Sequence, residues 1–257
     1  MKIKNDRDGI GAIGFDLFNT LVFAKEHTLD EAMEQMIRSL RQSGFDIDEE
    51  AFDEHYDTIV AWHIERSRES GKETHNQFWI CDTLNRLGNR LPPDDPRIAA
   101  AVEAYFSAFY PNVRLIPGTK AMLKELQERF PLGLLSNFTH APAARKILTI
   151  LDIDNYFTAV VISGETGYRK PHSRVFNALS DGLSEKKERI IFVGDDPEAD
   201  LIGALKSGLS PVWMTYARDR SLPFTSGVFS ENTENPDNDI PRIASWEDFL
   251  AFLNAQS

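Results

Sequence analysis

The chain has 257 residues, of which 42% are hydrophobic and 26% charged, a composition that is ordinary for a globular protein of one or two domains. Its formal net charge of −12 argues against a broad nucleic-acid surface, because such surfaces bind phosphate through clustered Lys and Arg. The charged N-terminus and the lack of a long apolar run predict no signal peptide and no membrane segment, and therefore a cytoplasmic protein.

The first predicted element is a buried strand, because residues 10–15 form a short apolar run that ends at Asp16. From about residue 29 to residue 110 strand-like runs disappear, and apolar residues recur at helical spacing in four stripes. Asp48 stands where it could cap the second of these helices. Residues 21–113 are therefore predicted to form an inserted four-helix domain.

After the insert, predicted strands and helices alternate to the end of the chain. The predicted strands are the apolar runs 132–135, 159–162, 190–193 and 211–214. This alternation predicts an α/β fold with a doubly wound parallel sheet, built from residues 1–20 and 114–257. The polar stretch 221–239 is predicted to be a loop, and residues 245–253 a closing amphipathic helix.

Four short motifs place polar side chains next to predicted strand or helix ends. They contain Asp16; Ser136 and Asn137; Arg169 and Lys170; and Asp195, Asp196 and Asp200. Ligands of open α/β sheets bind at the carboxyl ends of the strands, where several of these side chains would meet. Carboxylates that meet there repel one another unless a cation joins them, and oxygen ligands suit Mg²⁺. A nucleophilic Asp, a hydroxyl, a Lys and an acidic cluster together indicate phosphoryl transfer.

The four motifs resemble, in order, those of the haloacid dehalogenase superfamily, in the subgroup with a helical cap after the first motif. The matching segments are Phe15-Asp16-Leu17-Phe18-Asn19-Thr20-Leu21, Leu134-Leu135-Ser136-Asn137, Lys170-Pro171 with Phe176, and the run from Val193 to Asp200. The resemblance covers nearly the whole chain. It implies a hydrolase with a Rossmann-like core at 1–20 and 114–257 and a cap at 21–113.

The resemblance also implies roles for the matching residues. Asp16 would be the nucleophile, and Ser136 and Lys170 would bind the transferred group. Thr20 and Asn137 would lie at the substrate. Arg169, beside the motif lysine, is predicted to be a substrate clamp, with a surface arginine as the alternative. The implied partner is a small phosphorylated substrate, and the predicted assembly is a monomer or a homodimer.

The same resemblance implies a bound Mg²⁺. Its predicted ligands are Asp16, the backbone carbonyl of Phe18, Asp195, Asp196 and Asp200. Asp200 could instead orient Lys170.

One position departs from the phosphatase pattern of this superfamily. Phosphatases carry a second Asp two residues after the nucleophile, which protonates the leaving group and then activates water, and here that residue is Phe18. An aromatic residue at this position resembles the dehalogenase branch, in which Asp attacks carbon, but that branch usually lacks the acidic cluster of the fourth motif. Asp6-Arg7-Asp8-Gly9 superficially restores the missing pattern, but it precedes the strand and is predicted to be a solvated segment.

Three functions therefore stay open. The favoured one is a Mg²⁺-dependent phosphohydrolase with weakened acid–base catalysis, because uncompensated carboxylates beside Asp16 would blunt the nucleophile. The others are a dehalogenase-like hydrolase acting at carbon and a weakly active binding or regulatory protein. His27, His140 and Tyr168 are candidates for the missing proton donor, and the cap is expected to set substrate choice.

Overall fold

Within residues 9–223 and 239–256, which the computed structural model describes, six strands form a parallel sheet and two more form an antiparallel ribbon. The strands are β1 (Ala12–Phe15), β2 (Val22–Ala24), β3 (Val113–Leu115), β4 (Leu132–Ser136), β5 (Ala159–Ile162), β6 (Ile190–Gly194), β7 (Ser210–Met214) and β8 (Arg242–Ile243). The sheet order is β5-β4-β1-β6-β7-β8, with every neighbouring pair parallel. After β5 the chain crosses β1 to form β6, and open α/β sheets bind ligands outside the strand ends at such a crossing.

Helices cover both faces of this sheet, as its continuously buried strands require. The core helices are α5 (Thr119–Gln127), α6 (Ala141–Ile150), α7 (Ser163–Thr166), α8 (Ser173–Leu183), α9 (Gly203–Ser207), α10 (Tyr216–Asp219) and α11 (Trp246–Gln256), with a π-helical segment at Pro197–Ile202 before α9. Apolar side chains of α8 and α9 bury one face of the sheet, and those of α5, α6 and α11 bury the other. The predicted doubly wound α/β fold is confirmed.

The insert between β2 and β3, all of it described, is the helical cap. Its four helices are α1 (Thr28–Gln42), α2 (Glu49–Ser70), α3 (Asn76–Arg86) and α4 (Pro96–Ser107). Asp48 caps α2 as predicted, because its side chain accepts a hydrogen bond from the Ala51 N–H at 3.0 Å. α1 packs along α4, and α3 packs against both α2 and α4.

Three strands were not expected from the sequence. β2 and β3 pair in an antiparallel ribbon at the base of the cap, and β8 extends the sheet edge. The predicted domain boundaries at 20/21 and 113/114 place β2 in the cap and divide β3, and they stay a prediction. Residues 6–8 and most of the predicted loop 221–239 lie outside the described residues. No helix in the described ranges combines the length and apolar content that a bilayer crossing requires.

Candidate active site

Asp16 stands directly after the central strand β1, at the carboxyl edge of the sheet. Its backbone N–H donates to the Val193 carbonyl of β6 at 2.9 Å, which continues the strand pairing to this residue. The chain then turns sharply, with Asn19 in the left-handed region at a φ of 61° and the Leu21 N–H donating to the Leu17 carbonyl at 2.9 Å. Backbone hydrogen bonds therefore fix the main chain on both sides of the buried residue Asp16.

Lys170 reaches this carboxylate from the loop before α8. Its Nζ lies 2.6 Å from Asp16 Oδ1 and 2.6 Å from Asp200 Oδ1, and it donates to the Leu135 carbonyl at 3.0 Å. The side chain of Asn137 holds the backbone of Lys170, accepting from its N–H at 2.7 Å and donating to its carbonyl at 3.0 Å. Motifs two and three are thus linked, and the lysine joins the nucleophile to motif four.

Burial alone would lower the pKa of Lys170, but the carboxylates of Asp16 and Asp200 outweigh it and raise this pKa above its ordinary value. Burial, together with the charges of Asp16 and Asp196, raises the pKa of Asp200 to about 7, although Lys170 opposes this rise. The ammonium is therefore held charged between two carboxylates that compete for it.

The fourth motif brings two more carboxylates to the same edge. Gly194 permits this approach, because a Cβ there would lie 2.4 Å from the carboxylate carbon of Asp200. Asp200 Oδ2 accepts from the Asp196 N–H at 3.0 Å, and the indole N–H of Trp213 donates to the Asp195 carbonyl at 3.0 Å. Backbone contacts therefore set where Asp195 and Asp200 stand.

The donor set fits a divalent cation. Asp16, Asp195 and Asp200 each offer a carboxylate oxygen, and the three oxygens lie within 4.8 Å of one another. Asp200 Oδ1 is fully buried, and among the described residues the polar group that it meets is the Lys170 ammonium at 2.6 Å. Clustered carboxylate oxygens are the ligands that Mg²⁺ uses in proteins. Asp196, also predicted as a ligand, lies outside this group, and its Oδ1 caps the π-helical segment through the N–H groups of residues 198 and 199.

A cavity of about 280 Å³ opens on these residues. Its lining contains Asp16, Phe18, Asn137, Arg169, Lys170, Asp195, Asp196 and Asp200, all of which were predicted, and also Asn19, Arg68, Pro171, Glu198 and Ala199. Thr20 and Ser136 are buried beside the site but do not line the cavity. The roles of these two hydroxyls, and that of the Phe18 carbonyl, stay predictions.

Arg169 was predicted to clamp the substrate, and the structure gives it a second partner. Its Nη1 lies 3.3 Å from Oε1 of Glu73, a cap residue whose side chain is only 3% exposed. Arg169 thus lines the cavity while it is joined to the cap.

Arg68 is the cavity residue that lies outside the four motifs, and sequence reasoning missed it. It comes from the last turn of α2 in the cap, and no local pattern links that turn to motifs far along the chain.

Phe18 fills its position with an apolar contact between core and cap. Its ring stacks on Phe138 with centroids 5.4 Å apart and planes at 9°, and it meets Phe109 edge-on at 6.3 Å. Phe138 closely follows the second motif, and Phe109 follows the last helix of the cap. The place of the usual second Asp is therefore packed rather than vacant.

The three candidate replacements for that Asp do not line the cavity. His27 is exposed before α1, and Tyr168 packs against His172 with ring centroids 4.6 Å apart. His140 is buried between core and cap, with Nε2 2.9 Å from Glu103 and Nδ1 3.3 Å from Nε2 of His75.

A parallel α/β sheet with an acidic site at its switch point, and a helical cap inserted after the first strand, defines the class of capped Rossmann-like hydrolases. The model of the haloacid dehalogenase-like hydrolase family matches residues 10–208. The chain belongs to that family and is a hydrolase.

Curated relatives and solved structures agree with this assignment. The glyceraldehyde 3-phosphate phosphatase of Pyrococcus furiosus is 30% identical over 83% of this chain and 84% of its own length. The ribulose-1,5-bisphosphate 5-phosphatase of Halopiger xanaduensis is 30% identical over 78% of this chain and 83% of its own. The crystal structure of the 2-haloacid dehalogenase from Pseudomonas syringae pv. Tomato matches with a TM-score of 0.70 at 17% identity, over 96% of this chain and 100% of that one. The magnesium-bound putative HAD-hydrolase YfnB from Bacillus subtilis matches with a TM-score of 0.60 at 20% identity, over 96% and 99%. At these identities the two structures establish the fold alone.

Proposed function

We propose that the chain is a Mg²⁺-dependent phosphatase that hydrolyses a small phosphorylated metabolite through a phospho-aspartyl intermediate on Asp16. The observation that carries the proposal is the meeting of oxygens from Asp16, Asp195 and Asp200 within 4.8 Å at the strand ends. One ammonium, that of Lys170, cannot compensate three carboxylates, and a divalent cation would. The proposal is supported by the two phosphatase relatives, whose names specify small phosphorylated sugars.

In the proposed reaction an oxygen of Asp16 attacks phosphorus, and a P–O bond to Asp16 forms while the bond to the leaving oxygen breaks. Lys170 pairs with the Asp16 carboxylate and offers positive charge to the transferred group, and Asn137 holds the lysine backbone in place. Mg²⁺ held by Asp16, Asp195 and Asp200 would neutralise charge on the phosphoryl oxygens. Water then attacks phosphorus, which releases inorganic phosphate and regenerates the carboxylate.

Phe18 shapes the expected substrate preference. General acid catalysis is commonly worth about 10² to 10⁴ in rate, and a protonating carboxylate is missing at the usual position. Aryl, acyl and anhydride leaving groups need little protonation, so we expect such phosphates to turn over faster than alkyl phosphates. Water activation lacks the same carboxylate, so we expect the phospho-Asp16 intermediate to accumulate and to give a burst followed by slow turnover.

The direct test is hydrolysis of p-nitrophenyl phosphate and acetyl phosphate with Mg²⁺ and with EDTA. Activity that appears with Mg²⁺ and disappears with EDTA supports the proposal. Equal rates under the two conditions would overturn it.

Phe18 also favours a second candidate function, dehalogenation. In that reaction Asp16 attacks carbon and displaces halide, and the monoanionic carboxylate substrate requires no cation. Halide release from a panel of 2-haloacids in EDTA would support this candidate, and no release across the panel would remove it. A chain inactive in both assays, whose Asp16→Asn variant keeps the cellular or binding phenotype, would instead be a binding or regulatory protein.

A further inference from the structure

Three basic side chains line the cavity within the described residues, and they differ in their partners. Lys170 is neutralised by Asp16 and Asp200, and Arg169 is paired with Glu73. The side chain of Arg68 makes no ion pair or hydrogen bond with any residue in 9–223 or 239–256. The cap therefore brings to the cavity one guanidinium that has no ion-pair partner among the described residues.

Hydrogen bonds between cap and core hold the backbone that immediately follows Arg68. Gly71 ends α2, with its N–H donating to the Ser67 carbonyl at 2.9 Å, and its own carbonyl accepts from the Arg169 N–H at 3.0 Å. Two residues on, the Glu73 N–H donates to the Gly167 carbonyl at 3.0 Å. We call this pairing of residues 71–73 with 167–169 the cap–core ladder. It holds the last turn of α2, and with it Arg68, beside the loop that carries Lys170.

We propose that Arg68 determines specificity by binding a second anionic group of the substrate, so that the preferred substrate is a phosphomonoester that also carries a carboxylate or a second phosphate. This inference rests on the proposed phosphatase function. The transferred phosphoryl group already has Lys170 and the carboxylate-bound cation, so it does not need Arg68. The planar guanidinium matches carboxylate and phosphate oxygens, and a cavity of about 280 Å³ has room beyond one phosphate.

A simpler explanation of Arg68 makes a different prediction. A basic residue in the last helical turn interacts favourably with the helix dipole and needs no ligand. If that is its whole role, removal of its charge lowers stability slightly and leaves the choice among substrates unchanged.

The experiment compares substrates of nearly equal shape and reactivity that differ in charge. The probes are 3- and 4-carboxyphenyl phosphate, each beside its carbamoylphenyl isostere, and benzene-1,3-diyl bisphosphate, all assayed with Mg²⁺. In the wild-type protein we expect kcat/KM for the better carboxylate or bisphosphate probe to exceed that of the neutral isostere about tenfold, the size of one charge-assisted contact. In Arg68→Met this ratio should fall toward one, mainly through KM, and Arg68→Lys should keep part of it.

The matched control is Arg66→Met. Arg66 lies on the same helix with its guanidinium 4.7 Å from the centre of the Trp62 ring, and it does not line the cavity, so its variant should keep the wild-type ratio. A ratio unchanged in Arg68→Met, or a wild-type ratio near one, would overturn the inference. The carboxylate and bisphosphate arms identify which anion is preferred. Failure of the wild type to hydrolyse the neutral isosteres in a Mg²⁺-dependent manner would instead overturn the proposed phosphatase function itself.

Discussion

The loop after β1 has two sides with different surroundings, which we call the charged flank, at Asp16, and the apolar flank, at Phe18. On one flank Asp16 is held by Lys170, which also binds Asp200, so that one buried ammonium joins two acidic side chains. On the other flank Phe18 lies among the rings of Phe138 and Phe109, in an apolar seam between core and cap. Asp16 in the carboxylate network and Phe18 in the aromatic contact are only two positions apart in the chain.

This difference indicates how the chain departs from a phosphatase with two aspartates. The charged flank keeps the groups needed to form a phospho-aspartate, whereas the apolar flank uses the proton-transfer position to pack the cap. Bond making and proton transfer are therefore separable in this loop. Variants on each flank should affect different quantities.

Asp16→Asn should have the largest effect, because an amide is a poor nucleophile and cannot form the acyl phosphate. We expect kcat for p-nitrophenyl phosphate with Mg²⁺ to fall by about 10⁴ or more. The control is Asp152→Asn, which removes an exposed carboxylate paired with Lys120 on the surface. Substantial turnover in Asp16→Asn would show that another group attacks phosphorus.

Lys170→Met should combine lost activity with lost stability, because Asp16 and Asp200 would face each other without their shared cation. Breaking a buried ion pair from one side costs about 3–5 kcal/mol, measurable by urea unfolding in EDTA. Adding Asp200→Asn should restore part of that loss. The surface variant Lys120→Met should cost less than about 1 kcal/mol. Equal costs for the two lysine variants would contradict the charged network.

Phe18→Asp tests the apolar flank. The substitution removes the contacts with Phe138 and Phe109 and places a carboxylate in the seam, so we expect a loss of about 2–4 kcal/mol. If water activation is what the chain lacks, the slow phase after the burst should also accelerate.

Phe18→Leu should cost less stability and leave the slow phase unchanged. The control Phe78→Asp changes a ring that is 39% exposed on α3, and should have little effect on either quantity. Wild-type stability in Phe18→Asp would mean that the seam contributes nothing to the fold.

The smallest expected effect is on the pH dependence of the free energy of unfolding. Burial, and then the neighbouring His140, lower the pKa of His75 from 6.5 to about 4, while Glu103 opposes them. The unfolded chain binds this proton near pH 6.5 and the folded chain near pH 4, so this contribution to the free energy of unfolding falls from pH 6.5 to about 4 and then levels off.

The check is urea unfolding across that range for the wild type and His75→Asn, in which Asn keeps an oxygen able to cap α3. We expect a shallower decline in the variant. His172→Asn removes a similar cap bond, to the Arg174 N–H at 3.2 Å, and should keep the wild-type slope. Identical slopes in all three proteins would contradict the assignment to His75.

Much of the fold could be predicted because it is encoded locally. The apolar runs that became β1, β4 and β6 are long enough to identify, and the capping of α2 by Asp48 depends on a bond to a residue three positions on. The α/β class and the helical insert follow from the order of such segments. β2 and β3 have three residues each and pair across the whole cap, so no local pattern marks them.

The candidate site, like the fold, could be predicted only where it is encoded locally. The four motifs could be placed at strand ends, and the structure brings Asp16, Lys170, Asp195 and Asp200 together. The contribution of Arg68 depends on how the cap sits on the core, which helical periodicity does not encode. The contact of Phe18 with the cap could not be predicted, for the same reason.

The cap–core ladder has a consequence for any attempt to replace the cap of this chain with another. Besides the two chain crossings at β2 and β3, the ladder joins the cap to residues 167–169, which immediately precede Lys170. A foreign cap grafted at the β2–β3 ribbon would lose the hydrogen bonds of the ladder, which tie the backbone immediately before Lys170 to the cap. A working chimera therefore has to carry residues 167–169 with its cap, so that cap and lysine loop are inherited as one unit.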